Sequence, residues 1–438
     1  MKTRSLLLFL IAFSFQAFAQ SPAKGLEGAW SGLLDAGGTK LRLLVTVTKS
    51  ESGTYTGKFE SLDQGATVPI DSIDLDGDNA RFEVKAAGIV FEGVLNKDRT
   101  EWAGKFMQGG QTIPLTFTRG EPAASSAKKP APKPDYSAPP DAPYTAEDVQ
   151  VKTPMGHVLA GTLTLPKSAS GEKPSPAIVI ITGSGRQNRD GELGFEGYRP
   201  FRQIADSLAR RGIAMLRMDD RGTGESGGEF KGATSADFAE DIRAGLAYLR
   251  GRSEINAGRL GVLGHSEGAL IAPMVAEKEA GLRAIVLLAG VAEPARSALH
   301  FQMKNIYDHD TSLTPEKREE LIKAIPQRID AMMEADPWMK FFVTYDPAAT
   351  MRKVKTPVLI LTGSNDKQAV PEQVVLMKAA FKAGGNEDVT AKVLPGLNHL
   401  FVEDADGFAG NYKNLPPPVA IRSDVLEIIA DWLAKRLR

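Results

Sequence analysis

The segment VLGHSEGAL, residues 262–270, sets Ser266 between Gly264 and Gly268. A serine in the pattern G-x-S-x-G, entered from a strand and left by a helix, sits on a sharp turn that lifts its hydroxyl clear of a sheet. A hydroxyl is a weak nucleophile until a base takes its proton. The chain offers five histidines for that task. His157 lies in an early hairpin. His265 adjoins the serine, where the backbone points it away. His300 and His309 fall in a helical stretch. His399, in LPGLNHLF, alone follows the last core strand late in the chain, and is the expected base. A base needs a carboxylate to orient it. LILTGSNDKQAVP puts Asp366 just beyond a buried strand, whereas Glu403, Asp404 and Asp406 follow the histidine and read as solvated loop residues. Ser266, Asp366 and His399 thus make a candidate triad for acyl transfer.

The oxyanion formed in acyl transfer also needs donors. One is expected from the backbone N–H of Glu267, and the second from TGSG at 182–185, with Ser184 as the choice and Gly185 the alternative. The Glu267 carboxylate reads as a favourable charge at a helix N-terminus, and as a group that disfavours anionic substrates.

These residues need a scaffold that presents them together. From about residue 144 onward, apolar strands alternate with helices, which means a mostly parallel sheet covered on both faces. DVQVKT and VLAGTLTLP form a hairpin. AIVIIT, IAMLRM, RLGVLG, AIVLLAG, PVLILTG and VTAKVLP are the core strands. Helices are expected over 199–211, 236–249 and 423–437, the second from Phe238, Ile242, Leu246 and Leu249 on one face. Residues 293–350 hold no strand, open one helix with Thr314 and Pro315, and concentrate Met and aromatic residues. They read as a helical cap over a pocket at the carboxyl ends of the strands. Asp220 and Arg221 in DDRGTGESGG read as ties between loops near the site, since the segment lacks a P-loop ending.

Ahead of this lie three other regions. Residues 1–19 carry Lys2 and Arg4, a short apolar run, and Ala17 and Ala19, as in a cleavable export signal. Residues 20–120 hold about eight short alternating segments, expected to form a small antiparallel barrel or sandwich. Residues 121–143 carry seven prolines and read as an extended linker. Loss of Lys2 and Arg4 with the leader takes the formal charge from −1 to −3, which gives no broad attraction to nucleic acid or anionic membrane. There is no cysteine, which removes disulfides and thiol catalysis, and no cluster has metal-ligand spacing. No cofactor is expected. The partner expected is a small-molecule ester, with no membrane insertion once the leader is removed and location in the periplasm or medium.

GSGRQNRD, MDDRGTGESGG, GHSEG, TGSNDKQAVP and LNHLF together resemble bacterial serine α/β-hydrolases of the dienelactone-hydrolase and acyl-peptidase-like group, nearest the EstD-type carboxylesterase branch, which also carries an extra N-terminal domain. The resemblance spans about residues 145–438. It implies an α/β-hydrolase fold, esterase activity on short acyl esters, and Ser266, Asp366 and His399 as the triad. Thr182 stands where many relatives have histidine before the oxyanion glycine. Peptidase or amidase action is the competing reading, since the same groups serve peptide bonds; a non-catalytic binding protein is the third. Expressed in a cell that exports it, the mature chain is expected to begin at Gln20. N-terminal sequencing checks this, and a chain still starting at Met1 counts against export.

Overall fold

The continuous apolar runs become strands buried on both faces, as a sheet between two helical layers requires. A computed structural model of the chain describes residues 25–36, 39–50, 52–63, 66–108, 111–121, 134–192, 197–311 and 313–438. The expected leader and most of the expected linker, residues 122–133, lie outside these. Two compact units divide between residues 133 and 134.

The second unit is built on eight strands: β1 (Tyr144–Lys152), β2 (Val158–Pro166), β3 (Ser175–Ile181), β4 (Ala214–Met218), β5 (Ile255–His265), β6 (Ala284–Leu288), β7 (Val358–Gly363) and β8 (Val389–Leu394). They lie in the order β1-β2-β4-β3-β5-β6-β7-β8. β1 and β2 form the expected antiparallel hairpin, β2 meets β4 antiparallel, and all later pairs are parallel. This is the α/β-hydrolase arrangement. Helices α1 (Pro200–Arg210), α2 (Ser235–Arg250) and α3 (Glu267–Lys278) alternate with the strands. Ile242, Leu246 and Leu249 of α2 pack one face of the sheet together with α3. Phe201, Ile204 and Leu208 of α1 cover the other.

Between β6 and β7 the chain leaves the sheet for the cap. It comprises α4 (Arg296–His309), α5 (Pro315–Lys323), α6 (Ile325–Ala335), α7 (Pro337–Thr344) and α8 (Pro347–Met351). The last four each carry proline at one of the first two positions, where its missing N–H costs nothing. Thr314, Asp336 and Asp346 cap three of them through their side chains. Ile325, Ile329, Met339 and Val343 give the insertion a buried core of its own. Two further helices, α9 (Glu372–Ala383) and α10 (Ser423–Arg436), return to the sheet, α9 with Met377 and Phe381 on the α3 side and α10 with Val425, Ile429 and Leu433 on the α1 side.

Among the described residues the first unit is one antiparallel barrel-like sheet of nine strands, one more than the segments read from the sequence. TVPIDSIDLDG, read as one segment, breaks at Asp71 into strands Ala66–Ile70 and Ser72–Asp76. The Asp71 carboxylate accepts the Lys85 amide there, which fixes the corner. The first strand pairs with the last, Ser31 opposite Thr118. Alternation sends Trp30, Phe82, Phe91, Trp102 and Phe117 inward, where Phe91 meets Trp102 and Phe117 edge-on at 5.0 Å each. The interior is filled by rings.

The expected linker runs to residue 143, yet packing on the second unit already begins near Pro134. Tyr136 is buried with its ring 4.3 Å from the Arg189 guanidinium, and Arg202 donates to the carbonyls of Asp135 and Ser137.

Two adjacent aspartates bolt the loops that follow β3 and β4. Asp219 takes Arg189 in a two-point bond, Nε to Oδ1 at 3.1 Å and Nη2 to Oδ2 at 2.7 Å. Asp220 accepts the Thr182 hydroxyl at 2.6 Å and the Gln187 amide at 2.8 Å, so one carboxyl holds both ends of the 182–187 loop. Arg221 binds Asp241, which also takes His157. Burial pushes the Asp220 carboxyl from its usual 3.8 up to about 7, against the pull of those two donors. A carboxyl with a raised folded pKa binds its proton more tightly folded than unfolded. Its contribution to stability is therefore full below about 4 and is lost as pH rises through about 7. Asp220→Asn does not titrate. Its melting temperature relative to the parent is expected to be higher at pH 8 than at pH 5, and thermal melts at the two values read the sign.

Candidate active site

Ser266 occupies a conformation its residue type avoids. It lies at φ 55° and ψ −117°, at the junction of β5 and α3. The turn is possible because the residues two positions to either side are glycine. A Cβ on Gly264 would stand 2.0 Å from the Gly268 carbonyl oxygen, and one on Gly268 would stand 2.3 Å from that of Ile181. Backbone bonds hold the strain in place: the Ser266 amide donates to Leu288 O and the Ala269 amide to Ser266 O, both at 2.9 Å. The sheet therefore fixes the serine at its carboxyl edge, at the N-terminus of an almost wholly buried helix.

Asp366 follows β7 and is fully buried. Its Oδ1 accepts the amides of Gln368 at 2.8 Å and Ala369 at 2.9 Å, a local turn typical of Asp. Its Oδ2 stands 2.8 Å from His399 Nδ1. One oxygen is thus consumed by backbone, and the other orients the imidazole. With Nδ1 so engaged, Nε2 is the nitrogen left for proton transfer. The loop that carries His399 is shaped by Asn398, whose Oδ1 accepts the amides of Leu400 and Val402 and whose Nδ2 donates to Asp404. Asp404 and Asp406, expected as solvated, fasten this loop; Asp406 accepts the Phe408 amide and Asn411 Nδ2. Glu403 is an exposed partner of Arg422.

His265 also lies in the site. Its Nε2 is 2.9 Å from the His399 carbonyl oxygen, so that nitrogen carries the proton and donates, and the two rings are 4.9 Å apart. Burial, and then the neighbouring His399, push His265 down to about 4, which keeps it neutral. Sequence reasoning assigned it no contact, because strand alternation says nothing about which later loop returns beside a strand end. His157 is bonded to Asp241, and His309 stacks on Phe408 at 4.3 Å.

Ser266 and His399 line one cavity of about 360 Å³, with Gly183, Ser184, Gln187 and Tyr412. Gly183 passes so close to Ser266 that a Cβ there would meet Ser266 Cβ at 3.3 Å. The TGSG loop therefore borders the serine, with Ser184 on the cavity and Gly185 on a different, small cavity behind the loop. A second pocket of about 40 Å³ adjoins, also lined by Ser266 and His399, and closed by Leu270, Val291, Leu299 and Phe342. The cap contributes Leu299, Gln302, Trp338 and Phe342 to the larger cavity. Gln302 Nε2 donates to the Gln368 carbonyl, joining the cap to the loop that carries Asp366. Among the described residues the lining of both cavities is largely apolar and amide-rich, with Glu267 its one carboxylate.

The Glu267 side chain does not stand as a bare helix-end charge. It is buried, and its Oε1 accepts Ser235 Oγ at 2.7 Å and Trp338 Nε1 at 2.8 Å. Burial raises its pKa, with Ser235, Trp338 and Ser184 opposing. The side chain is thus tied to α2 and to the cap, and it lines the smaller pocket beside Ser266. Among the described residues no group of His, Asp and Glu could hold a metal ion, and no helix is long and apolar enough to cross a membrane.

Residues 194–406 match the serine aminopeptidase, S33 family. The chain is 26% identical to Esterase EstD of Thermotoga maritima over 342 residues, 76% of this chain and 78% of that protein. It is 34% identical over 110 residues to the uncharacterized protein PA2218 of Pseudomonas aeruginosa, 25% of this chain and 27% of that one. Among solved structures it is similar to the Pyrococcus furiosus esterase Pf2001, at 15% identity and a TM-score of 0.46, covering 70% of this chain and 97% of that one. By its sheet order and the turn at Ser266 the chain has the α/β-hydrolase fold, and it is similar over about three quarters of its length to Esterase EstD.

Proposed function

We propose that the protein is a serine carboxylesterase that cleaves uncharged esters of short acyl chains. One observation carries this reading: the strained Ser266 turn opens into the same cavity as His399, whose Nδ1 is held by Asp366. In the proposed reaction Ser266 Oγ attacks the ester carbonyl carbon as His399 Nε2 takes the hydroxyl proton. Asp366 keeps the imidazole oriented and steadies its positive charge. The oxyanion accepts hydrogen bonds from the Glu267 amide and from the 183–184 backbone, with Ser184 as the assigned donor. His399 then gives its proton to the leaving alcohol, and the C–O bond breaks to leave an acyl-enzyme. Water, deprotonated by His399, attacks that acyl group and releases the acid and the free serine.

The apolar and amide lining supports a neutral substrate, since an ionic group would lose its water against it and the described lining residues include no Lys or Arg to meet an anion. The pocket of about 40 Å³ beside the serine supports a short acyl arm, and the cavity of about 360 Å³ takes the bulkier alcohol. An aminopeptidase or amidase reading is favoured by the S33 family match over residues 194–406. Export to the periplasm or medium is proposed on the leader residues alone.

Ser266→Ala is expected to lower kcat on a p-nitrophenyl acyl ester by about 10⁵-fold or more. Asp366→Asn is expected to lower it by roughly 10⁴-fold. Unchanged turnover in Ser266→Ala removes the triad assignment. In a series of p-nitrophenyl esters, kcat/KM is expected to fall at least about tenfold from a C4 to a C10 acyl chain. Faster cleavage of an aminoacyl p-nitroanilide than of any ester in the series decides for the amidase reading.

A further inference from the structure

The two compartments beside Ser266 share a wall. Phe342, on α7, lines both. One turn earlier on the same helix, Trp338 lines only the larger, and its ring lies parallel to that of Phe342 at 5.3 Å and 9°. Glu267, at the elbow, lines only the smaller. The hydrogen bond from Trp338 Nε1 to Glu267 Oε1 therefore runs from the cap side of one compartment to the floor of the other. The acceptor is itself fixed. Ser235, fully buried at the start of α2, donates to the same oxygen, and the Glu267 backbone is locked into α3.

We infer that Glu267 and Trp338 act as a specificity-determining pair, whose hydrogen bond holds the Trp338–Phe342 wall in place and thereby sets how long a chain fits beside Ser266. The inference rests on Ser266 being the nucleophile, and on nothing about which bond is cleaved. The pair is a positioning device; neither side chain takes part in bond making. Its physical basis is the cost of burying an indole N–H and a carboxyl without partners, which binds the two together. Burial of the carboxyl, which raises its pKa, adds to that cost. Without the bond, Trp338 keeps its stacking and the small cap core and Phe342 its packing on the core of the sheet, but the indole is no longer tied to the elbow, and the compartments of about 40 and 360 Å³ can merge. One methylene in an apolar pocket is worth about 10- to 200-fold in selectivity, so a modest shift of this wall is readable.

The test uses the full chain and two alkylphosphonofluoridates that differ only in the alkyl arm, methyl against octyl. The second-order rate of Ser266 phosphonylation is followed by mass spectrometry. The parent is expected to favour methyl. Trp338→Phe keeps the stacked ring and removes the donor; Glu267→Leu keeps the size and removes the acceptor. Both are expected to shift the methyl-to-octyl ratio toward octyl by about tenfold or more. Glu267→Gln keeps an acceptor oxygen, and is expected to keep the parent ratio within about threefold. A purely structural role lowers both rates equally and leaves the ratio unchanged, and that result in Trp338→Phe overturns the inference. Trp338→Phe decides alone if Glu267→Leu fails to fold. Discrimination without ester turnover in the parent leaves the inference standing and removes the esterase reading. No phosphonylation of the parent at Ser266 removes the nucleophile and the inference with it.

Discussion

The site depends on one strained residue. Ser266 sits at positive φ without being glycine, a state that costs on the order of 1–3 kcal/mol. The structure holds it there because the alternatives are closed. Gly264 and Gly268 meet backbone oxygens at distances no Cβ could tolerate, so the strand and helix are pressed together until only this turn connects them. The parallel pairing of β5 with β3 and β6 fixes the strand, and the buried face of α3 fixes the helix. The hydroxyl is left at the open edge of the sheet as a consequence of packing, and every other part of the site is placed relative to it.

The remaining groups arrive on loops, and each loop is shaped by a short polar side chain that satisfies backbone amides. Asp366 spends one oxygen on Gln368 and Ala369 and keeps the other for His399. Asn398 does the same for the turn that carries His399. Asp220 holds both ends of the loop that borders Ser266, at the cost of burying a carboxyl. The cap closes over this frame through Gln302 to the loop that carries Asp366 and through Trp338 to the elbow. The geometry of the candidate site comes from loops braced by internal hydrogen bonds, standing on a buried sheet.

Much of this was legible in the residues. Continuous apolar runs such as AIVIIT and AIVLLAG can only be strands buried on both faces, and glycines two positions either side of Ser266 identify the turn. The strand-end positions of Asp366 and His399 follow from counting strands. The cap was legible as a gap in that count, with Thr314-Pro315 marking one of its helices. The barrel-like unit was legible in kind but miscounted by one strand. Asp71 turns a corner through a bond to Lys85, and nothing in a period-two pattern signals a contact fourteen residues away.

The sequence by itself determined which residue types could do the chemistry and which elements carry them, because both depend on local periodicity, turn residues and chain order. Tertiary structure decided what those side chains touch. Glu267, read as a helix-end charge, is enclosed by Ser235 and the cap indole. His265, read as pointing away, donates to the His399 backbone. Part of the proline-rich stretch, read as free linker, lays Tyr136 on Arg189. Each of these contacts joins residues between about 30 and 135 positions apart. No local pattern encodes such pairings; they follow from the packing of loops and insertion onto a finished sheet.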